Sequence, residues 1–124
     1  MTTWQGVTNF LQDCKSAIRA GLYHFVPREK SNQGLIDLGL TDCEEAVSWL
    51  LGLTPEDYSC GPEEDRDRPG EDIWVFGTEI SGQEVYIKLK LLEDPRTGVG
   101  CRAKILGFHP AEAPLIYPLR GGGP

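Results

Sequence analysis

The spacing of hydrophobic positions changes along this chain, from helical in the first half to strand-like in the second. Trp4, Val7, Phe10, Leu11, Cys14, Ala17, Ile18 and Leu22 recur every three or four residues. That spacing predicts an amphipathic helix over residues 3–20, with Gly21 as its stop. Residues 22–26 read as a short extended piece, because Pro27 keeps Val26 out of helical geometry. Ser31 is placed to cap a short helix that runs to Leu38 and closes at Gly39. Thr41 and Glu44 have capping-box spacing, so a helix should follow to Leu51 with Cys43, Ala46, Val47, Leu50 and Leu51 turned inward. Thr54-Pro55 opens one further turn, with Pro55 at its first position and Tyr58 packing it onto the core.

From Asp72 the period falls to two. Residues 72–78 are rich in β-branched and aromatic side chains, and Val85, Ile87, Leu89 and Leu91 alternate with Glu84, Tyr86, Lys88 and Lys90. Ser81-Gly82 fits a two-residue hairpin turn. That turn predicts Phe76 opposite Ile87, Trp74 opposite Leu89, and Gly77 opposite Tyr86. One face is then apolar, and the other carries Tyr86, Lys88 and Lys90 with open space beside the tyrosine. A slip of one residue would bury the lysines, so the pattern specifies the register. Residues 101–109 read as a third strand, but their alternation does not assign His109 to a face.

Residues 59–70 read as a polar loop and 94–100 as a second loop. The prolines and glycines after Pro110 argue against regular structure. The expected organisation is a single domain over 1–110 with an irregular or disordered tail over 111–124. Helices come first and antiparallel strands follow, which predicts an α+β fold with helices on one face of a small antiparallel sheet.

Charge and cysteines narrow the function classes. The 124 residues carry a net charge of −7, which weighs against a general nucleic-acid binder. The imbalance is local: residues 56–72 hold eight acidic residues against two arginines. Such a segment is either a solvated loop or one that screens a site or attracts a basic partner. No apolar run approaches the roughly twenty residues of a membrane span. Residues 1–10 lack the features of a signal peptide, so the expected compartment is the cytoplasm. Cys14, Cys43, Cys60 and Cys101 show neither C-x-x-C nor zinc-site spacing. They are read as reduced thiols, with no metal and no cofactor expected.

The candidate chemistry lies on the polar strand face and at the end of the third strand. Tyr86, Lys88 and His109 make a metal-free set for RNA cleavage. One group takes the 2′-hydroxyl proton, a cation steadies the phosphorane, and another group protonates the leaving 5′-oxygen. The same residues also fit an ordinary solvated sheet face with a structural histidine. Lys90 is a candidate substrate contact. Arg66 and Arg68 can grip phosphate or pair locally with Asp65 and Asp67. His24 reads as structural. Cys60 with His109 as base would make a thiol nucleophile, though nothing in its context supports one. No glycine-rich phosphate loop is present.

Several segments together resemble a known family. Residues 52–58 (Gly-Leu-Thr-Pro-Glu-Asp-Tyr), Ile73-Trp74, residues 82–90 (Gly-Gln-Glu-Val-Tyr-Ile-Lys-Leu-Lys) and residues 105–109 (Ile-Leu-Gly-Phe-His) are similar to the MqsR family of type II toxins. These are RelE-like mRNA interferases with a microbial-RNase-like fold. The resemblance spans about residues 17–109. It implies a ribosome-independent endoribonuclease that cleaves mRNA and is neutralised by a cognate antitoxin, usually a zinc- and DNA-binding helix-turn-helix protein. Tyr86 matches the family's active-site tyrosine, and Lys88 the lysine two residues after it. The chain departs from the pattern at Cys60, where the family uses a lysine, and at Val75, where a glutamine is expected. His109 replaces a further lysine, and the acidic loop is longer. His109 as general acid would mark a subfamily variant; the alternatives are an inactivated toxin homologue or a non-catalytic protein-binding module.

Overall fold

The first helix, α1 (Trp4–Arg19), is capped where Thr3 accepts a hydrogen bond from the Gly6 amide at 3.1 Å. It buries Val7, Phe10, Leu11, Cys14, Ala17 and Ile18, so the helical periodicity read from the sequence is its core face. Gly21 follows in left-handed geometry. These details come from a computed structural model that describes residues 2–93 and 101–122. The loop expected over 94–100 and the last two residues of the tail lie outside the described residues.

After α1 come β1 (Tyr23–Phe25), α2 (Glu29–Asp37), α3 (Cys43–Leu50) and a 3₁₀ turn (Pro55–Asp57). Four strands complete the domain: β2 (Tyr58–Glu64), β3 (Asp72–Ile80), β4 (Gln83–Glu93) and β5 (Cys101–Pro110). The fold is α+β, with three N-terminal helices against one five-stranded sheet of order β1-β5-β4-β3-β2. The sheet is mixed rather than wholly antiparallel. The extended piece after α1 joins its edge as β1 and runs parallel to β5, with Phe25 opposite Ile105. Edge pairing of this kind satisfies the backbone of a three-residue strand that could not stand alone.

The β3–β4 hairpin has the predicted register throughout, with Trp74 opposite Leu89, Phe76 opposite Ile87 and Gly77 opposite Tyr86. Ser81 and Gly82 both have positive φ, 54° and 77°, as a turn matching the strand twist requires. The apolar face meets α1. The Phe10 ring stacks on Trp74 at 4.3 Å and lies 5.9 Å from Phe76, and Tyr58 meets the Trp74 indole and the Phe76 phenyl edge-on. Tyr58 therefore anchors its turn in the core, as expected.

Three local readings shift. The α3 cap is Asp42, which accepts from the Glu45 amide at 2.9 Å, while the Glu45 carboxylate reaches back to the Thr41 amide at 3.1 Å. Ser31 does not cap α2. It is buried one turn inside the helix, where its hydroxyl accepts from the Phe108 amide at 3.1 Å. The first half of the expected loop 59–70 is instead an edge strand, β2, paired irregularly with β3. All four cysteines are free thiols. No helix among the described residues is long and apolar enough to cross a membrane.

Helix α2 presses directly on the end of β5. A Cβ on Gly34 would lie 2.6 Å from the Phe108 carbonyl oxygen and 2.8 Å from the His109 Cα, both backbone atoms. Gly→Ala inside a helix ordinarily stabilises by about 1 kcal/mol. Here overpacking should reverse the sign, and we expect Gly34→Ala to lower unfolding free energy by about 1–3 kcal/mol. Urea denaturation measures this, and a gain in stability would mean that α2 does not pack so closely.

Candidate functional site

The position of His109 is decided by a bulge in β5. Lys88 pairs with Gly107 and Leu89 with Ile105, so Leu106 is an extra residue with no partner on β4. The bulge shifts the alternation by one. Ala103, Ile105 and Phe108 therefore all face the core, while Gly107 and His109 fall on the opposite face with Tyr86 and Lys88. His109 lies directly opposite Tyr86, and the two rings stack with centroids 5.2 Å apart and planes 23° apart.

These residues line a cleft of about 420 Å³. Tyr86, Lys88 and Gly107 form its floor, with His109 at one side. Arg28 and Lys30, at the start of α2, form one rim, and Ala113, Pro114 and Leu115 of the tail form the other. The structure thus brings Tyr86, Lys88 and His109 into one concavity, although His109 is 23 residues from Tyr86 in the chain.

The histidine has a defined proton arrangement. Its Nδ1 lies 2.9 Å from the Pro110 carbonyl oxygen. A carbonyl only accepts, so Nδ1 donates, and in the neutral ring the lone pair is left on Nε2. Burial pushes the Tyr86 phenol above its ordinary value of 10, and Cys60 and Glu63 add to the shift. Tyr86 therefore stays protonated at neutral pH and acts as a hydrogen-bond or proton donor. Lys88 is half-buried, and no carboxylate lies within ion-pair distance of it or of Arg28 among the described residues.

The other predicted substrate contacts lie elsewhere. Lys90 is on the same face but only 2 % exposed, and its ammonium is held by Asp65 and by Glu71, the latter at 2.9 Å. The acidic loop closes over it, with the Asp65 amide donating to the Glu71 carbonyl at 2.8 Å and the Glu71 amide to the Arg68 carbonyl at 3.1 Å. Lys90 is thus an anchor for the loop, and its charge is not presented to the cleft. Arg66 and Arg68 are exposed on that loop and do not line the cleft. They make no ion pair among the described residues with Asp65 or Asp67. His24 is exposed on β1, outside the cleft.

Cys60 and Val75 pair across β2 and β3 on the face that carries Tyr86. Cys60 is separated from β5 by two strands, roughly 14 Å at the usual interstrand spacing. His109 is therefore out of reach as a base for it. Burial, and then Glu63, push the Cys60 thiol up, which further disfavours a thiolate nucleophile.

Sequence reasoning missed Arg28, Lys30 and the tail wall. Lys30 is held to Glu112 at 2.6 Å in an exposed pair, a contact between residues 82 apart. The local signal was the two cations Arg28 and Lys30 that follow Pro27. Among the described residues, no group of three or more His, Cys, Asp or Glu is arranged to hold a metal ion. Comparison of the chain with protein-family models, curated proteins and solved structures finds no match.

The hold on Lys90 makes the acidic loop sensitive to acid. Hydrogen bonds from Lys90 and then from the Asp67 amide hold the Asp65 carboxyl below its ordinary 3.8. A depressed carboxylate contributes its stability fully above the unfolded value and loses it as pH falls through the folded one. We expect amide-exchange protection at Asp65, Arg68 and Glu71 to be constant above about pH 4 and to fall below it. Protection that stays flat to about pH 2 would show that Asp65 does not hold the loop.

Proposed function

We propose that this chain is an endoribonuclease that cleaves single-stranded RNA by metal-free general acid–base chemistry at a 2′-hydroxyl. The observation that carries the reading is the stacked Tyr86–His109 pair with Lys88 beside it on the floor of one cleft. RNA contains its own nucleophile, so the protein needs only a base, an acid and a cation.

His109 fits the base. With Nδ1–H committed to Pro110, Nε2 takes the 2′-hydroxyl proton as O2′ attacks phosphorus. Lys88 balances charge that builds on the equatorial oxygens. Tyr86, protonated at neutral pH, donates its phenolic proton to the departing 5′-oxygen as the P–O5′ bond breaks. The products are a 2′,3′-cyclic phosphate and a free 5′-hydroxyl, and solvent returns the proton from His109 to Tyr86. This assigns His109 the base role in place of the general-acid role suggested by its position in the family pattern.

The resemblance to MqsR toxins supports the wider setting: mRNA as substrate, the cytoplasm as compartment, and an antitoxin as the partner that silences the cleft. The positions that the resemblance singles out, Cys60, Val75, Tyr86, Lys88 and His109, all belong to one sheet face. That agreement favours a variant site over an unrelated binding module.

Purified protein with naked labelled RNA, EDTA and no ribosomes tests the reading. Wild type should leave 2′,3′-cyclic ends, and Tyr86→Phe or His109→Gln should each slow cleavage about 10²–10⁴-fold. An inert wild type, or a Tyr86→Phe variant as fast as wild type, would overturn it.

A further inference from the structure

Glu84 bonds the tail after β5 to the domain at three points. Its backbone carbonyl accepts from the Ala111 amide at 2.8 Å. Its carboxylate accepts from the Leu115 amide at 3.0 Å and from the Tyr117 hydroxyl at 2.7 Å. Residues 111–115 therefore form an arch pinned at one end by the Glu84 backbone and at the other by its side chain. Glu112 within the arch is tied to Lys30 across the cleft rim. Gly77 makes the seat: a Cβ there would overlap the Tyr117 hydroxyl and lie 2.6 Å from Leu115 Cδ1. Arg120 then covers the outer face of the Tyr117 ring at 3.9 Å.

The arch gives the cleft two unlike halves. Arg28, Lys88, Tyr86 and His109 offer charge and hydrogen bonds, whereas Ala113, Pro114 and Leu115 offer an apolar wall. Gly107 between the halves adds no side chain to the floor. The volume is at the lower end of small-ligand clefts and suits one flipped-out nucleotide rather than a duplex. A nucleotide has the same division, with an anionic phosphate at one end and a flat, apolar-faced base at the other.

Resting on the reading of this cleft as an RNA site, we propose that the arch segment Ala113, Pro114 and Leu115 forms a nucleobase subsite beside the scissile phosphate. Glu84 and Gly77 are positioning residues that hold its wall in place. Because the arch is fixed before substrate arrives, little ordering is left to oppose binding.

Binding of nucleoside 3′-monophosphates and of inorganic phosphate to the full chain tests this without requiring cleavage. Wild type should hold at least one nucleotide about tenfold more tightly than phosphate, the factor that corresponds to 1.4 kcal/mol. Glu84→Ala, which removes the carboxylate bonds to Leu115 and Tyr117, and Leu115→Ala, which trims the wall, should each bring the two ligands within about twofold while phosphate affinity stays unchanged. Leu115→Ala guards against a Glu84→Ala protein that does not fold. Equal affinities in wild type, absence of any binding, or an advantage that survives in folded variants would each overturn the subsite. The RNA-cleavage assay separates the two readings. Cleaving protein without a base advantage loses the subsite alone, and a base advantage without cleavage loses the nuclease reading alone.

Discussion

Leu106 is one residue more than β5 needs to match β4, and the site depends on where that surplus sits. An unbroken strand would put residues 103, 105, 107 and 109 on one face. With Ala103 and Ile105 in the core, His109 would then be driven into the helices. The bulge shifts the alternation just before Gly107, so Phe108 continues the core and His109 emerges over Tyr86. Helix α2 fixes this arrangement by capping the Phe108 amide with the buried Ser31 hydroxyl and by laying Gly34 against the backbone of 108–109. Removing the bulge would cost the cleft its histidine, whatever happened to the core.

The acidic segment and the basic face settle their charges unequally. Lys90 is buried and neutralised by Asp65 and Glu71. Burial alone would pull its ammonium down, but hydrogen bonds to the two carboxylates reverse the direction. Lys88, two residues earlier on the same face, remains open to the cleft. The loop thus uses up one lysine to fix itself at the end of the hairpin and spares the other. Its remaining carboxylates make that side of the face unfavourable for anions. The side bounded by Arg28 and α2 is the one electrostatically open to an anion. The net charge of −7 therefore says little about the cleft, because the acids are concentrated beyond it.

Features set by local chemistry were legible in the sequence. The α1 face, the β3–β4 register and the Ser81-Gly82 turn all follow from periodicity and turn preference, which act over a few residues. Segment 59–64 hid its strand because Gly61, Pro62 and two glutamates lack β propensity; β2 exists because the edge of β3 was available to it. The Thr41–Glu44 spacing resembled a cap as closely as the actual Asp42–Glu45 bond, and only the helix start separates them. His109 was visible as a candidate, but its face was not, since a bulge leaves no mark in an apolar run. Lys90 was visible as a cation, but its burial was not, because its partners lie 19 and 25 residues away.

The tail was the least legible part, and the reason is general. Its prolines and glycines correctly exclude helix and strand but say nothing about docking. Gly77 looked like empty space reserved for the Tyr86 hydroxyl, since it sits opposite that residue on the same face. The space is instead filled by Leu115 and Tyr117, which return to it from nearly forty residues later. Tyr117 is pushed up to about 12, by burial first and then by its bond to Glu84, so it remains a donor to that carboxylate throughout the physiological range. A glycine in a strand ordinarily weakens the sheet. Here its missing side chain lets an irregular segment become a wall of the cleft.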